Sequence, residues 1–247
     1  MLRQPQPGCL IVLEGLDGSG KTTQARLLTE RLASAGRRVL LTAEPTRGPI
    51  GRLIREVIAT RPTSPPRPPH RTFRFSAAER GHDAPALSHQ GAGLVRQEPP
   101  FDPFALALLF AADRRDHLAH EIEPALRRGD WVVCDRYLLS SLAYQSETSP
   151  RHPPLAWVAA INGFARPADL TLYLRLSVPE CLARLAGRSG QADAFETAPE
   201  LRRIARGYRT GLAHLKEAGW DITSIDGRGD IDRVAERIWS AVGQRLI

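Results

Sequence analysis

Cys9-Leu10-Ile11-Val12-Leu13-Glu14-Gly15-Leu16-Asp17-Gly18-Ser19-Gly20-Lys21-Thr22-Thr23 passes from a short apolar run, through a glycine-rich turn, into helical spacing. The first five residues read as a strand buried on both faces, because apolar side chains follow one another without alternation. From Thr22 to Ala35, Ala25, Leu28, Leu32 and Ala35 recur at steps of three and four, and Gly36 supplies a stop. Between strand and helix, Gly15 to Thr22 fits G-x-x-x-x-G-K-[ST], a match that this composition gives by chance roughly once in a thousand chains. Strand before and helix after are what a phosphate-binding loop requires. Glycines let the backbone wrap a phosphate with its N–H groups pointing inward, and the helix N-terminus adds partial positive charge. Lys21 then reaches the β- and γ-phosphates, and the Thr22 hydroxyl is a ligand for Mg²⁺. Such a loop specifies nucleoside triphosphate binding and leaves the reaction open among GTPases, ATPases, kinases and nucleotide-gated DNA proteins.

Outward from the loop, strands and helices alternate. Val39–Thr42 is a second strand and Ile50–Ile58 a helix. Phe104–Arg128 is one long helical stretch, stopped by Gly129 before the strand Trp131–Cys134. Ala168–Leu176 and Ile222–Ile225 are further strands. Helices are expected from Pro179-Glu180, over Pro199–Glu217 and over Asp230–Val242. This order predicts a three-layer α/β/α P-loop domain, residues 1–247, around a five-stranded parallel sheet. Thr60 to Pro103 breaks the pattern with nine prolines and poor apolar periodicity. It reads as a proline-rich insertion, without the apolar content for a core of its own.

The 247 residues carry a formal charge of +7, and only Lys21 and Lys216 of the 34 basic residues are lysine, which leaves 32 arginines. Two readings of that bias stand: GC-rich coding, which also accounts for the many Ala, Gly and Pro, and affinity for phosphates. Residues 60–103 carry six Arg against four acids and no clustered basic helix, so nucleic acid is not an expected partner. Cys9, Cys134 and Cys181 form no CxxC or zinc spacing. Phe104–Ala112 is the longest apolar run, far short of the roughly 20 residues of a membrane span, so no membrane partner is expected. The N-terminus has no signal-peptide pattern, and the cytosol is the expected compartment.

Trp131-Val132-Val133-Cys134 ends in Asp135-Arg136-Tyr137. A carboxylate at a strand's C-terminal end beside a phosphate loop suits Mg²⁺, or its water. Arg136 is suited to clamp a phosphate through paired hydrogen bonds.

These stretches together resemble the thymidylate kinases, within the P-loop nucleoside monophosphate kinases. The resemblance runs through Leu10–Ile58 and Phe104–Val242. It rests on Glu14 to Thr23, Glu44-Pro45, Leu108-Leu109-Phe110-Ala111-Ala112-Asp113-Arg114, Asp135-Arg136-Tyr137, Ser140-Ser141-Leu142-Ala143-Tyr144-Gln145, Pro167 to Leu174, and Ile225-Asp226. It implies Mg²⁺- and ATP-dependent phosphorylation of dTMP to dTDP by a homodimer. It also implies that Gly15, Leu16, Asp17, Gly18, Ser19, Gly20, Lys21, Thr22 and Thr23 bind ATP, and that Phe110 stacks on the thymine. Arg114 would bond the base edge, with Glu44 nearby; Arg136 would hold the acceptor phosphate, and Asp17 would face the 3′-hydroxyl. Tyr144 and Gln145 would line the nucleoside pocket. A lid over about 184–198 would bring Arg188 and Arg184 to the transferring phosphoryl.

Three features depart from the family pattern. Ala43 stands where many members carry an arginine before Glu-Pro, and Arg47 is the candidate replacement. Ala194 stands in Asp193-Ala194-Phe195-Glu196, where such lids often read Asp-Arg-x-Glu. The proline-rich insertion has no counterpart in the pattern. A kinase for another (deoxy)nucleoside monophosphate and a low-activity nucleotide-binding relative therefore stay open as alternatives.

Overall fold

A computed structural model describes residues 8–59, 101–146, 152–187 and 197–246. Its sheet is five-stranded and parallel, in the order β2-β3-β1-β4-β5. The strands are β1 (Cys9–Gly15), β2 (Val39–Ala43), β3 (Trp131–Asp135), β4 (Leu170–Arg175) and β5 (Ile222–Asp226). β1 is central and wholly buried. Its residues alternate between two cores: Leu10 and Val12 join one, and Cys9, Ile11 and Leu13 join the other. That is why its sequence is continuously apolar rather than alternating.

Helices cover both faces. On one lie α1 (Lys21–Ser34) and α9 (Ile231–Leu246), whose Leu28, Leu32, Val234 and Ile238 complete the second core. On the other lie α5 (Leu138–Gln145), α6 (Leu155–Ile161), α7 (Val178–Ala186) and α8 (Ala198–Glu217). α7 opens with a capping box in which Ser177 and Glu180 satisfy each other's backbone N–H. The helix after β1 and the helix after β3 thus sit on opposite faces. A crevice opens between neighbouring strand ends wherever the chain diverges in this way. β1 and β3 end there with Gly15 and Asp135, so the fold itself brings the phosphate loop and the Asp-Arg pair together.

The remaining helices differ from the sequence reading in instructive ways. α2 spans Pro49–Ala59. The long stretch begins one residue early, as α3 (Pro103–His117), with Asp102 capping it by accepting from the Ala105 N–H at 2.9 Å. It then passes through a π-helical turn, Leu118–Ile122, before α4 (Glu123–Arg127). α5 and α6 were not expected. α5 is buried on nearly every side, so it shows no amphipathic stripe, and α6 has only seven residues. Most of the proline-rich insertion, and lid residues 188–196, lie outside the described residues.

Candidate active site

The phosphate loop is held open by backbone geometry. Gly18 and Gly20 have φ of +81° and +95°, values that side-chain-bearing residues rarely adopt. A Cβ on Gly18 would also lie 2.5 Å from the Cys181 carbonyl oxygen of α7. The Ser19 N–H closes the turn onto the Leu16 carbonyl at 3.1 Å. Lys21 is buried. Its Nζ donates to the Leu16 carbonyl at 3.0 Å and stands 3.6 Å from Asp17 Oδ1. Burial and the neighbouring Arg136 push its pKa down, and Asp17, Asp135 and Glu14 offset part of that. An added anion at the loop would favour the charged lysine further.

Thr22 and Asp135 meet across the crevice, with Thr22 Oγ1 donating to Asp135 Oδ2 at 2.5 Å. Asp135 Oδ1 is buried and has no hydrogen-bond partner. One hydroxyl and one carboxylate with a spare oxygen fit Mg²⁺, which takes hard oxygen ligands from one or two side chains and completes its shell with water and phosphate. Among the described residues, no cluster of three or more His, Cys, Asp or Glu could cage a metal by protein ligands alone.

A cavity of about 440 Å³ opens beside the loop. At its loop end, the Arg136 guanidinium pairs with Asp17, whose other oxygen accepts from the Tyr144 hydroxyl at 2.7 Å. Burial alone would raise the Asp17 carboxyl; Arg136, Lys21 and the Tyr144 hydroxyl outweigh it and hold the pKa well below the usual range. Arg136 has φ +72°, unusual for a residue with a side chain. Glu14 holds the chain just beyond it. Wholly buried at the end of β1, its carboxylate accepts from the Tyr137 and Ser140 N–H groups at 2.9 and 3.0 Å and from Ser140 Oγ at 2.6 Å. It thereby caps α5 from another strand. Burial raises the Glu14 pKa, and those hydrogen bonds oppose the rise.

At the far end, Phe110, Arg114, Ser141 and Gln145 line the same cavity. Arg114 is 1% exposed and pairs with Glu44 at 2.6 Å. It also donates to Asn162 Oδ1 at 2.5 Å and Ser141 Oγ at 2.9 Å, while its Nε finds no partner. Gln145 Oε1 is likewise buried and unpartnered. Arg47 does not line this cavity; it is exposed, with its carbonyl accepting from Arg52. Arg55 does, from α2, donating to the Pro45 carbonyl at 2.8 Å and to that of Thr46.

A second cleft of about 240 Å³ lies behind the loop, between Gly18 to Gln24 and the turn Gly229 to Ile231. Arg184 spans its edge, donating to Ser19 O at 3.3 Å and Gly227 O at 2.9 Å. Arg188 lies outside the described residues.

A cavity and a cleft thus lie on either side of one phosphate loop. Comparison with known proteins gives the family. The family model described as thymidylate kinase matches residues 13–84 and 92–238. The chain belongs to the thymidylate kinase family. Among curated relatives, a "Probable thymidylate kinase" of Pyrococcus abyssi is 37% identical over 97% of this chain and 98% of the relative. One from Pyrococcus horikoshii is 40% identical over 84% of each. A "Thymidylate kinase" of Xanthomonas oryzae is 35% identical over 97% of this chain and 86% of its own length. Against this thymidylate kinase framework, sequence reasoning missed Arg55, Arg203 and Asn162 near the cavity and the Gly229–Ile231 wall of the cleft. None belongs to a local motif.

Proposed function

We propose that the chain transfers the γ-phosphoryl of ATP to dTMP, giving dTDP. The observation that carries this reading is that Arg114 and Gln145 line one cavity and each keeps a buried hydrogen-bonding atom without a partner, the Arg114 Nε–H donor and the Gln145 Oε1 acceptor. Thymine offers the complement, a carbonyl acceptor and a ring N–H donor. Cytosine offers an amino donor and a bare ring nitrogen. An arginine only donates, so it cannot adapt to an amino group. Leaving such a buried group unpaired is costly, which favours the keto base. Phe110, on the cavity wall, is the stacking surface in this reading.

At the other end, Arg136 would take the acceptor phosphate and Asp17 the sugar hydroxyl, with Tyr144 fixing Asp17. Arg55 supplies a second cation in place of Arg47. ATP would thread its phosphates through the loop under Lys21, with its base in the second cleft beneath Arg184. Donor and acceptor phosphates repel each other, so catalysis consists mainly of holding them in line and neutralising charge. Lys21, Arg136 and the lid arginine Arg188 do this in our reading. Thr22 and Asp135 would hold Mg²⁺, which when bound neutralises charge on the transferring phosphate.

The test offers purified protein ATP, Mg²⁺ and each nucleoside monophosphate in turn, and quantifies the diphosphate. dTMP is expected to be preferred and dCMP to react poorly. Bound ATP with no transfer to any acceptor would overturn the reading. The homodimer belongs to the same reading. It is supported by Leu53 on α2 and Leu108 on α3, which are exposed on two helices that pack together; light scattering decides it. A cytoplasmic location follows from the same reading. No helix among the described residues is long and apolar enough to cross a membrane.

A further inference from the structure

The Arg114–Glu44 pair has a support that the catalytic reading does not use. His117 lies one turn beyond Arg114 on α3, immediately before the π-helical turn, and its side chain is wholly buried. Its Nδ1 is 3.2 Å from Glu44 Oε1, and its Nε2 is 2.7 Å from Thr42 Oγ1 on β2. Thr42 Oγ1 also lies 3.0 Å from Glu121 Oε2, on the exposed side of the π-helical turn. A carboxylate paired with a guanidinium can only accept, so the hydrogen of the His117–Glu44 contact sits on Nδ1. The two oxygens of Glu44 are therefore divided, one taking Arg114 and the other His117.

The geometry points to His117 as a positioning residue for the acceptor base. It fixes the Glu44 carboxylate, and Glu44 fixes the plane of the Arg114 guanidinium over the Tyr137 ring, 5.1 Å away. Both Nη2 hydrogens are then committed to Glu44 and Ser141 and one Nη1 hydrogen to Asn162, which holds the guanidinium at one orientation where Arg114 lines the cavity. Without His117, Glu44 is free to turn about its side-chain bonds, and Arg114 can turn with it. The donor that reads the base then loses its fixed direction, which weakens acceptor binding and base discrimination rather than the transfer step. π-helical turns are rare and recur at functional positions. Here one places Glu121 beside the Thr42–His117 contact.

This inference rests on Arg114 contacting the acceptor, and its test separates the two claims. Wild-type protein that phosphorylates no monophosphate would overturn the functional reading by itself. With an active wild type, steady-state kinetics and calorimetric dTMP binding without ATP are compared for His117→Ala, His117→Asn and Thr42→Val. His117→Ala should raise the dTMP KM and Kd about tenfold and reduce the preference for dTMP over dCMP. The ATP KM and the kcat at saturating dTMP should stay within about twofold. His117→Asn, whose side-chain N–H can stand where Nδ1 stood, should recover most of the loss. Thr42→Val should raise the dTMP KM about two- to threefold; it decides the matter should His117→Ala not fold. An unchanged dTMP Kd, a kcat that falls with both KM values unchanged, or an Asn variant as impaired as Ala would overturn the proposal.

Discussion

At the scale of single residues, the site is a set of charges held against one another until substrate arrives. Lys21 rests on the Leu16 carbonyl and near Asp17, and in the proposed reaction it supplies charge at the transferring phosphate. Lys21→Ala is expected to lower kcat by about a hundredfold or more in a coupled ADP assay. Asp17 has its pKa depressed, so the stability it contributes is complete above the ordinary value of 3.8 and is lost as pH falls through the folded value. In urea melts, Asp17→Asn should therefore be less stable than wild type at neutral pH, and the gap should narrow below pH 3.8. The cysteines give a third expectation. Burial pushes Cys181 up to about 11, Cys9 up to about 12 and Cys134 well above its usual value. Thiols rather than thiolates at neutral pH, and buried, they should resist alkylation in the folded protein; mass spectrometry should find all three labelled after denaturation.

At the scale of elements, two glycines on helices should respond to the same substitution with opposite signs. Gly207 on α8 faces α5 so closely that a Cβ would lie 2.4 Å from the Ala143 carbonyl oxygen. Gly207→Ala should cost roughly 1–3 kcal/mol, because neither helix can give way without disturbing Tyr144 and Gln145. Gly243 on α9 has nothing within 4 Å of such a Cβ. There the helix preference for alanine acts alone, and Gly243→Ala should gain about 0.5–1 kcal/mol. Denaturant midpoints for both variants check the pair. The alternation of elements was readable from the chain wherever one face of an element is wet. α1 shows its stripe in Ala25, Leu28 and Leu32, and α7 announces its start through Pro179 and Glu180. α5 was not readable, because Leu138, Leu139, Leu142 and Ala143 are buried around its circumference and leave no period to detect. The π-helical turn is equally silent, since one added residue per turn hardly disturbs a helical pattern.

At the scale of the whole molecule, the phosphate loop, the cavity and the second cleft gather at the C-terminal end of the sheet, the cavity beyond β1, β2 and β3 and the cleft beyond β1 and β5. A nucleotide bound there ties both faces of the sheet together. ATP at a hundred times its Kd should stabilise the fold by about 2.7 kcal/mol, about 5–10 °C in Tm for a chain of this size. Differential scanning fluorimetry should show that shift in wild type and a much smaller one in Lys21→Ala. The sequence by itself determined the phosphate loop, the parallel α/β architecture and the family. Those depend on local geometry: glycines where φ is positive, apolar runs where both faces are covered, and Lys21 where a phosphate must be met. Only the tertiary structure decided which arginines face the cavity. Arg55 enters it and Arg47 does not, although eight positions separate them and both follow Glu44-Pro45. It also joined Glu14 to the start of α5, and His117 to Glu44 and Arg114. These partners lie on different elements, and their spacing along the chain carries no signal; packing alone brings them within hydrogen-bond reach.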